Sequence, residues 1–193
     1  AIVDIPGTKS WQLLPSADVT STVTNVRAVA GRSTAYERGV LAALGRAGVR
    51  PGDDVMLVGH SEGGMVAVRA AIDATSSGRF HVTHVVTAAA PIGALVPKVP
   101  AGVRVLAIEN QSDLVPHADG ITNADRVNVV TATIHHDTGS IGGNHVLDGP
   151  YLAGAADIDA SGDASIREFV SSASRYFDAT TVVTDRFVIT RAR

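Results

Sequence analysis

One serine in this sequence lies where a serine can act as a nucleophile. Ser61 is the middle residue of the pentapeptide GHSEG at positions 59–63, which follows an apolar run at 55–58 and precedes a helix-like segment. A tight bend between a strand and a helix exposes the hydroxyl, and flanking glycines leave room where a side chain would collide with neighbouring backbone. The N-terminus of the following helix adds positive partial charge, so the backbone N–H of Glu62 can stabilise an oxyanion. This context favours a nucleophile over a plain loop.

The order of apolar runs along the chain predicts the elements that hold this bend. The runs at 1–5 and 55–58 are almost free of polar residues, as in strands that are buried on both faces of a parallel sheet. The spacing of apolar residues also predicts a helix over 34–47, with Ser33 as its N-cap and Gly48 as its stop. We expect further helices over 65–74, 146–156 and 165–177, and further strands over 82–87, 103–109, 127–131 and, at a sheet edge, 180–190. Strands that alternate with helices indicate an α/β fold.

Composition excludes several other classes of protein. The chain has 193 residues, 45% hydrophobic and 18% charged, and we expect a single globular domain over 1–193. With 16 basic and 19 acidic side chains and a net charge of −3, it lacks the basic surface that binds phosphate backbones, so we expect no nucleic acid partner. The absence of cysteine excludes a disulfide and a thiolate nucleophile but leaves the compartment unknown. No apolar stretch approaches the ~20 residues of a membrane-spanning helix, so we expect no membrane span.

The segment around Ser61 resembles that of a known family. VMLVGHSEGGMVA at 55–67 is similar to the nucleophile segment of α/β-hydrolases, and the order of predicted elements resembles theirs from residue 1 to about residue 177. The resemblance implies a mostly parallel, twisted sheet flanked by helices. It implies a minimal form of that fold without a cap domain, because only residues 91–102 join the strand over 82–87 to the next one. No cofactor is implied.

A serine hydroxyl needs a base within hydrogen-bond reach and an acid that orients the base. In α/β-hydrolases the acid and then the histidine follow the serine along the chain. The resemblance places the acid in the loop after the strand over 103–109, where Asp113 fits. Asp119 and Asp125 are the alternatives, and both are typical of turn or cap residues.

The same resemblance selects among seven histidines. The family carries its base in the loop after the last core strand, just before the final helices. His145 fits this description because it follows a glycine-rich stretch and precedes an apolar, helix-like segment. His135 and His136, directly after the last predicted core strand, remain open alternatives. The histidines that do not suit the position are His60, His81, His84 and His117.

The resemblance also implies the remaining parts of the site. The second oxyanion donor comes from the loop after the first core strand, here PGTK at 6–9, and we expect the Thr8 N–H to act beside that of Glu62. Pro6 replaces a histidine that many relatives carry, whereas Gly7 keeps a close approach of the backbone. The connection 91–102 is apolar, so four side chains either form one wall of an open cleft for an acyl chain or pack under the loop: Ile92, Leu95, Val96 and Val99.

A second motif suggests a metal. DIDASGD at 157–163, with Glu168 in the twelfth position, matches the spacing of a calcium-binding EF-hand loop. A true EF-hand needs helices on both sides, whereas Pro150 and Gly154 interrupt the segment before it. A capping box of Ser165 and Glu168 explains these residues without an ion. We therefore expect no metal site.

Together these observations predict a hydrolase of carboxylic esters or thioesters that uses Ser61, His145 and Asp113 to form and resolve an acyl-enzyme. Its partner would be a small-molecule ester or acyl substrate. Two alternatives remain, an acyltransferase that passes the acyl group to an alcohol or amine and a catalytically inactive, hydrolase-like binding module.

Overall fold

The computed structural model describes residues 1–7 and 34–190, in which five strands form one sheet. The strands are β1 (Ile2–Ile5), β2 (Asp54–His60), β3 (His81–Ala88), β4 (Arg104–Asn110) and β5 (Val129–Ile134). They lie side by side in chain order, and every neighbouring pair is parallel. The helices are α1 (Ala35–Arg46), α2 (Glu62–Ser77), α3 (Ile141–His145), α4 (Leu152–Asp159) and α5 (Ala164–Ala173). The predicted α/β class, a parallel sheet flanked by helices, is confirmed.

Both faces of the sheet are covered at its central strands, as the apolar run at 55–58 predicted, whereas β1 is less buried than the run at 1–5 predicted, because Ile2 and Asp4 are exposed. Successive residues of a strand point to opposite faces. Val55 and Leu57 of β2 therefore belong to the core beneath α1 and α2, whereas Met56 between them belongs to a second core beneath α4 and α5. The central strands β2, β3 and β4 are packed on both sides, whereas β1 and β5 each leave residues exposed on one face.

Parallel strands bring those loops together. The carboxyl ends of β1 to β5 all lie at one edge, so the segments that follow the strands are neighbours there. Pro6-Gly7 follows β1, Ser61 follows β2, and the loop with Asp113 follows β4. The topology therefore gathers at one edge residues that are distant in sequence.

Several predicted helix termini differ from the structure. α1 begins after Thr34, whose hydroxyl accepts from the Glu37 N–H while the Glu37 carboxylate accepts from the Thr34 N–H. This reciprocal capping box satisfies two end donors, so Thr34 rather than the predicted Ser33, which lies outside the described residues, is the N-cap. The helix predicted over 146–156 is instead a π turn at Leu147–Tyr151 that leads into α4, because the chain bends at Asp148 and Gly149.

The predicted capping box of Ser165 and Glu168 is wrong. Asp163 is the N-cap of α5, and its carboxylate accepts from the Ser165 and Ile166 N–H groups. Glu168 instead forms an ion pair with Arg104, and Asp157 contacts His136. A carboxylate serves as well as a serine hydroxyl at an N-cap, and it also interacts favourably with the helix dipole.

The predicted edge strand over 180–190 is also wrong. That segment pairs with none of the five strands β1 to β5, although its β-branched residues favour extended structure. Val182, Val183 and Val188 are exposed, whereas Ile189 packs against Gly39 of α1. A strand needs a partner, and β propensity alone does not supply one.

Within the described ranges, no helix has the length and apolar character needed to cross a membrane.

Candidate active site

The bend at Ser61 has the strained geometry that the sequence predicted. Ser61 has φ 56° and ψ −124° and stands between the end of β2 and the start of α2. A non-glycine residue with positive φ is costly, on the order of 1–3 kcal/mol, and persists only where its surroundings enforce it. Here the Ser61 N–H donates to the carbonyl of Ala88 at the end of β3 (2.8 Å), which fixes the turn to the neighbouring strand.

Close packing of the main chain accounts for the glycines around Ser61. A Cβ on Gly59 would lie 2.6 Å from the Gly64 nitrogen, and one on Gly63 would lie 2.8 Å from the Pro6 carbonyl oxygen. Both distances are shorter than real Cβ contacts, and the opposing atoms are backbone that cannot rotate away. The predicted steric reason for the two glycines is confirmed.

The structure brings the three predicted side chains into hydrogen-bond contact. The Ser61 hydroxyl lies 2.9 Å from Nε2 of His145, and Nδ1 of His145 lies 2.8 Å from Oδ2 of Asp113. Because a carboxylate only accepts, Nδ1 carries the imidazole proton and Nε2 is left to accept from the serine. This is the arrangement in which a neutral histidine can act as a general base on a serine hydroxyl.

Asp113 is fully buried and is held by three donors. Besides His145, the Tyr151 hydroxyl donates to Oδ2 (2.8 Å) and the Val115 N–H donates to Oδ1 (3.0 Å). Burial alone would raise the pKa of Asp113, but these hydrogen bonds lower it below its usual value, so the carboxylate is ionised at neutral pH. Burial raises the pKa of Tyr151, which therefore remains a neutral donor.

Two asparagines hold the segment that carries His145. Asn144 is buried: its amide nitrogen donates to the Ser112 carbonyl (3.1 Å), and its side-chain oxygen accepts from the Thr138 N–H (2.7 Å). Asn110, at the end of β4, donates to the main-chain carbonyls of His136 and Asn144. The loops after β4 and β5 are thereby joined beside the Asp113–His145 contact.

The alternative candidates for the base and for the acid have other contacts. His135 contacts Gln111 (2.6 Å), and His136 contacts Asp157 (2.7 Å). Asp119 accepts from two main-chain N–H groups, as an aspartate in a turn does, and Asp125 is exposed. None of these contacts involves Ser61.

The two predicted oxyanion donors differ in what the structure describes. Glu62 is the first residue of α2, and the first N–H groups of a helix have no acceptor within the helix. Thr8 lies outside the described residues. The backbone just before it passes close to the nucleophile, since a Cβ on Gly7 would lie 3.0 Å from Cβ of Ser61. The Tyr36 hydroxyl donates to the Pro6 carbonyl (2.8 Å) and ties this backbone to α1.

Of the two alternatives for the apolar side chains of the connection 91–102, a cleft wall or packing under the loop, the structure shows packing. The side chains of Ile92, Leu95, Val96 and Val99 are all buried in the core beneath α1 and α2. Their connection can turn inward because Arg126 donates to two of its main-chain carbonyls. Large apolar side chains are exposed instead beside the site residues: Leu114 next to Asp113, Val146 and Leu147 next to His145, and Ile141 at the start of α3.

Sequence reasoning did not identify the supporting side chains Asn110, Asn144 and Tyr151, and it considered His60 only as a histidine that does not suit the position of the base. In the structure His60 Nε2 lies 2.9 Å from the main-chain carbonyl oxygen of His145. The partners of these groups are mostly main-chain atoms of distant loops, so no local pattern marks them. The position of His60 beside Ser61 is the one available signal.

Comparison with known proteins assigns no family to this chain. No family model matches the chain, and no curated protein matches it by sequence. One similar solved structure is described as esterase B from Lactobacillus rhamnosis inhibited by a C4-C4 SN3 tributyrin phosphonate. It has a TM-score of 0.39 and 14% sequence identity, and the match covers 90% of this chain and 78% of that one. At that distance, any argument about activity has to come from the geometry around Ser61.

Proposed function

We propose that this protein is a serine hydrolase of the α/β-hydrolase family that cleaves carboxylic esters or thioesters. The observation that carries the proposal is the continuous chain of contacts from the Ser61 hydroxyl through the His145 imidazole to the Asp113 carboxylate, at 2.9 and 2.8 Å. This chain starts at a strained serine at the N-terminus of a helix, a setting that favours attack on a carbonyl and stabilisation of the resulting oxyanion.

The proposed reaction has two steps. In the first, the Ser61 oxygen attacks the ester carbonyl while His145 Nε2 takes the hydroxyl proton and then gives it to the leaving alcohol or thiol, which departs. Asp113 holds the imidazole in the required tautomer and stabilises the imidazolium. The N–H of Glu62, together with that of Thr8, donates to the oxyanion. In the second step, water gives a proton to His145 and attacks the acyl-enzyme; the bond between the acyl carbon and the Ser61 oxygen then breaks, His145 returns the proton to that oxygen, and the acid leaves.

An apolar group on the substrate fits the surface beside these residues. Leu114 is 62% exposed and adjoins Asp113, and Val146 is 47% exposed and adjoins His145. Apolar side chains left in water next to a nucleophile favour a substrate that covers them, since removing their surface from water releases about 25 cal/mol per Å². We therefore infer an ester with an apolar acyl or alkyl part.

Covalent labelling with a fluorophosphonate probe, combined with hydrolysis of p-nitrophenyl butyrate, tests the proposal. We expect the native chain to be labelled and active, Ser61→Ala to be unlabelled, and His145→Ala to lose labelling by at least about 10³-fold. His136→Ala is the matched control, because that histidine also has a carboxylate partner but does not contact Ser61, and it should behave as the native chain. Absence of labelling in the native chain would favour a binding module, and acyl transfer to added alcohols in preference to water would favour an acyltransferase.

A further inference from the structure

The imidazole of His60 contacts the residue that carries the proposed base. Its Nε2 lies 2.9 Å from the main-chain carbonyl oxygen of His145, and the two rings are 4.9 Å apart between centroids. The ring of Tyr151 meets His60 edge-on, with centroids 6.2 Å apart. His60 is the last residue of β2 and precedes Ser61 directly.

The protonation state of His60 follows from its surroundings. Burial lowers the pKa of His60, so its ring is neutral near pH 7 and carries one N–H. A carbonyl oxygen can only accept, which places that proton on Nε2. The His60 ring therefore donates to the main chain of His145 and has no lone pair on Nε2 with which to act as a base there.

The carbonyl of His145 needs such a donor. α3 is only five residues long, and the last carbonyls of a helix have no partner within it. The His60 donor satisfies one of these carbonyls and at the same time joins α3 to the end of β2. A donor at this place both satisfies a helix end and restrains it.

We propose that His60 is a positioning residue, which sets the distance between the Ser61 hydroxyl and the His145 imidazole by holding the main chain of His145. This inference rests on the proposed function of Ser61 and His145. The covalent bond from His60 to Ser61, the contact from Ser61 to the His145 ring, and the contact from His60 to the His145 carbonyl close a small ring of interactions. The base cannot move away from the nucleophile unless one of these contacts breaks, although 84 residues separate the two in sequence.

Two substitutions separate the hydrogen bond from ring packing. His60→Phe keeps an aromatic ring and removes the donor, whereas His60→Gln keeps an amide N–H near the place of Nε2. We expect His60→Phe to lower kcat for p-nitrophenyl butyrate about 10- to 100-fold with KM changed less than about 2-fold, since a shift of about 1 Å in a catalytic group has effects of this size. His60→Gln should recover kcat to within about 5-fold of the native value, because it restores the contact that holds His145.

The matched control is His84→Phe. His84 is a buried histidine that contacts Ser172 of α5 (2.9 Å) and the ring of Phe169, and it has no contact with Ser61, His145 or Asp113. We expect this variant to lose free energy of unfolding while keeping kcat. Native kcat in His60→Phe, or an equal loss of kcat in the Gln and Phe variants, would overturn the proposal.

A second readout does not depend on turnover. The proton shared by His145 Nδ1 and Asp113 should give a downfield NMR resonance in the native chain, and in His60→Phe its exchange with solvent should be faster while His60→Gln restores slow exchange. Unchanged exchange in His60→Phe would overturn the positioning proposal even if the chain is active. Conversely, a native chain with slow exchange but neither labelling nor hydrolysis would contradict the proposed function and leave the structural contact in place.

Discussion

The two halves of the candidate active site are held in different ways. At the nucleophile, main-chain atoms of β1, β2 and α2 approach so closely that Gly59 and Gly63 have no room for a side chain. At the base, His145 stands on a five-residue helix whose position depends on side-chain hydrogen bonds, above all those of Asn144 and Asn110. Steric exclusion therefore fixes one half, and a network of individually modest hydrogen bonds fixes the other.

This difference predicts how each half of the site responds to substitutions. A hydrogen bond contributes about 0.5–1.5 kcal/mol to stability. The segment that carries His145, called the base segment below, should therefore lose stability in small steps as single hydrogen bonds are removed. Overlap with backbone cannot be relieved by rotation of a side chain, so the nucleophile turn should tolerate almost no added atom.

The largest effect is expected from a methyl group in the nucleophile turn. In Gly63→Ala the new Cβ would overlap the backbone of Ile5 and Pro6, so we expect the free energy of unfolding to fall by about 3 kcal/mol and probe labelling to vanish. Gly142→Ala is the control in the base segment, because a Cβ there has no atom within 4 Å. Urea denaturation and labelling of both variants check the comparison, and a stable, labelled Gly63→Ala protein would contradict it.

Replacement of the buried Asp113 carboxylate should have the second-largest effect. Asp113→Asn keeps the size of the side chain but no longer fixes the His145 tautomer, and we expect kcat to fall about 10³- to 10⁴-fold. Asp119→Asn serves as the control. The Asp119 carboxylate accepts from the N–H of Ile121 in its own turn and from the N–H of Ala94 in the connection 91–102. The kcat of this variant should change little. Equal losses in the two variants, measured with the same ester, would argue against Asp113 as the acid.

Removal of the Asn144 side chain should lower kcat less than Asp113→Asn does. Asn144→Ala removes the partner of the part-buried Ser112 carbonyl and Thr138 N–H, so we expect a loss of about 1–3 kcal/mol in the free energy of unfolding. We also expect a fall in kcat of about 10- to 100-fold because His145 is displaced. Asn128→Ala is matched to it, because the Asn128 amide also holds main-chain groups, here the Pro100 and Val103 carbonyls, but precedes the start of β5 at the opposite edge of the sheet. That control should lose stability without a comparable loss of kcat.

The smallest effect concerns pH. Burial opposes the charge on Asp113, but its hydrogen bonds hold the folded-state pKa below 3.8, so the stability that the carboxylate contributes is present above that value and is lost as pH falls through the lowered pKa. Tyr151→Phe removes one donor and should move this loss to higher pH. Urea unfolding of both proteins between about pH 2 and pH 5 measures the shift, and superimposable curves would show that the Tyr151 hydrogen bond does not act on Asp113.

The sequence predicts the first half of the site better than the second for a physical reason. The bend at Ser61 is local, so a short motif after an apolar strand was sufficient to predict its geometry. Asp113 and His145 were placed by resemblance to α/β-hydrolases, and His135 and His136 stayed open because only the folded loop distinguishes among the three histidines. Asn144 and Tyr151 were missed because their partners are groups that distant loops supply.

These differences between prediction and structure share one cause. The residues of a short segment do not show which distant residues the segment pairs with or packs against. The segment 180–190 has the residues of a strand, but it does not pair with β1 to β5. For Ile92 and Val96 the sequence left a ligand-binding wall and burial under the loop equally open, and only the fold shows that they complete the core beneath α1 and α2. Burial and pairing are properties of the whole fold, and a window of ten residues does not contain them.

The separation of 84 residues between Ser61 and His145 also bears on when their contact can form during synthesis. When the ribosome has made the chain as far as α2, the serine exists but its imidazole has not yet been translated. Contacts between residues so far apart form late, because closing a long loop costs entropy before the contact compensates for it. The nascent chain therefore carries the Ser61 hydroxyl without its imidazole partner until the segment with His145 has emerged and docked against the sheet.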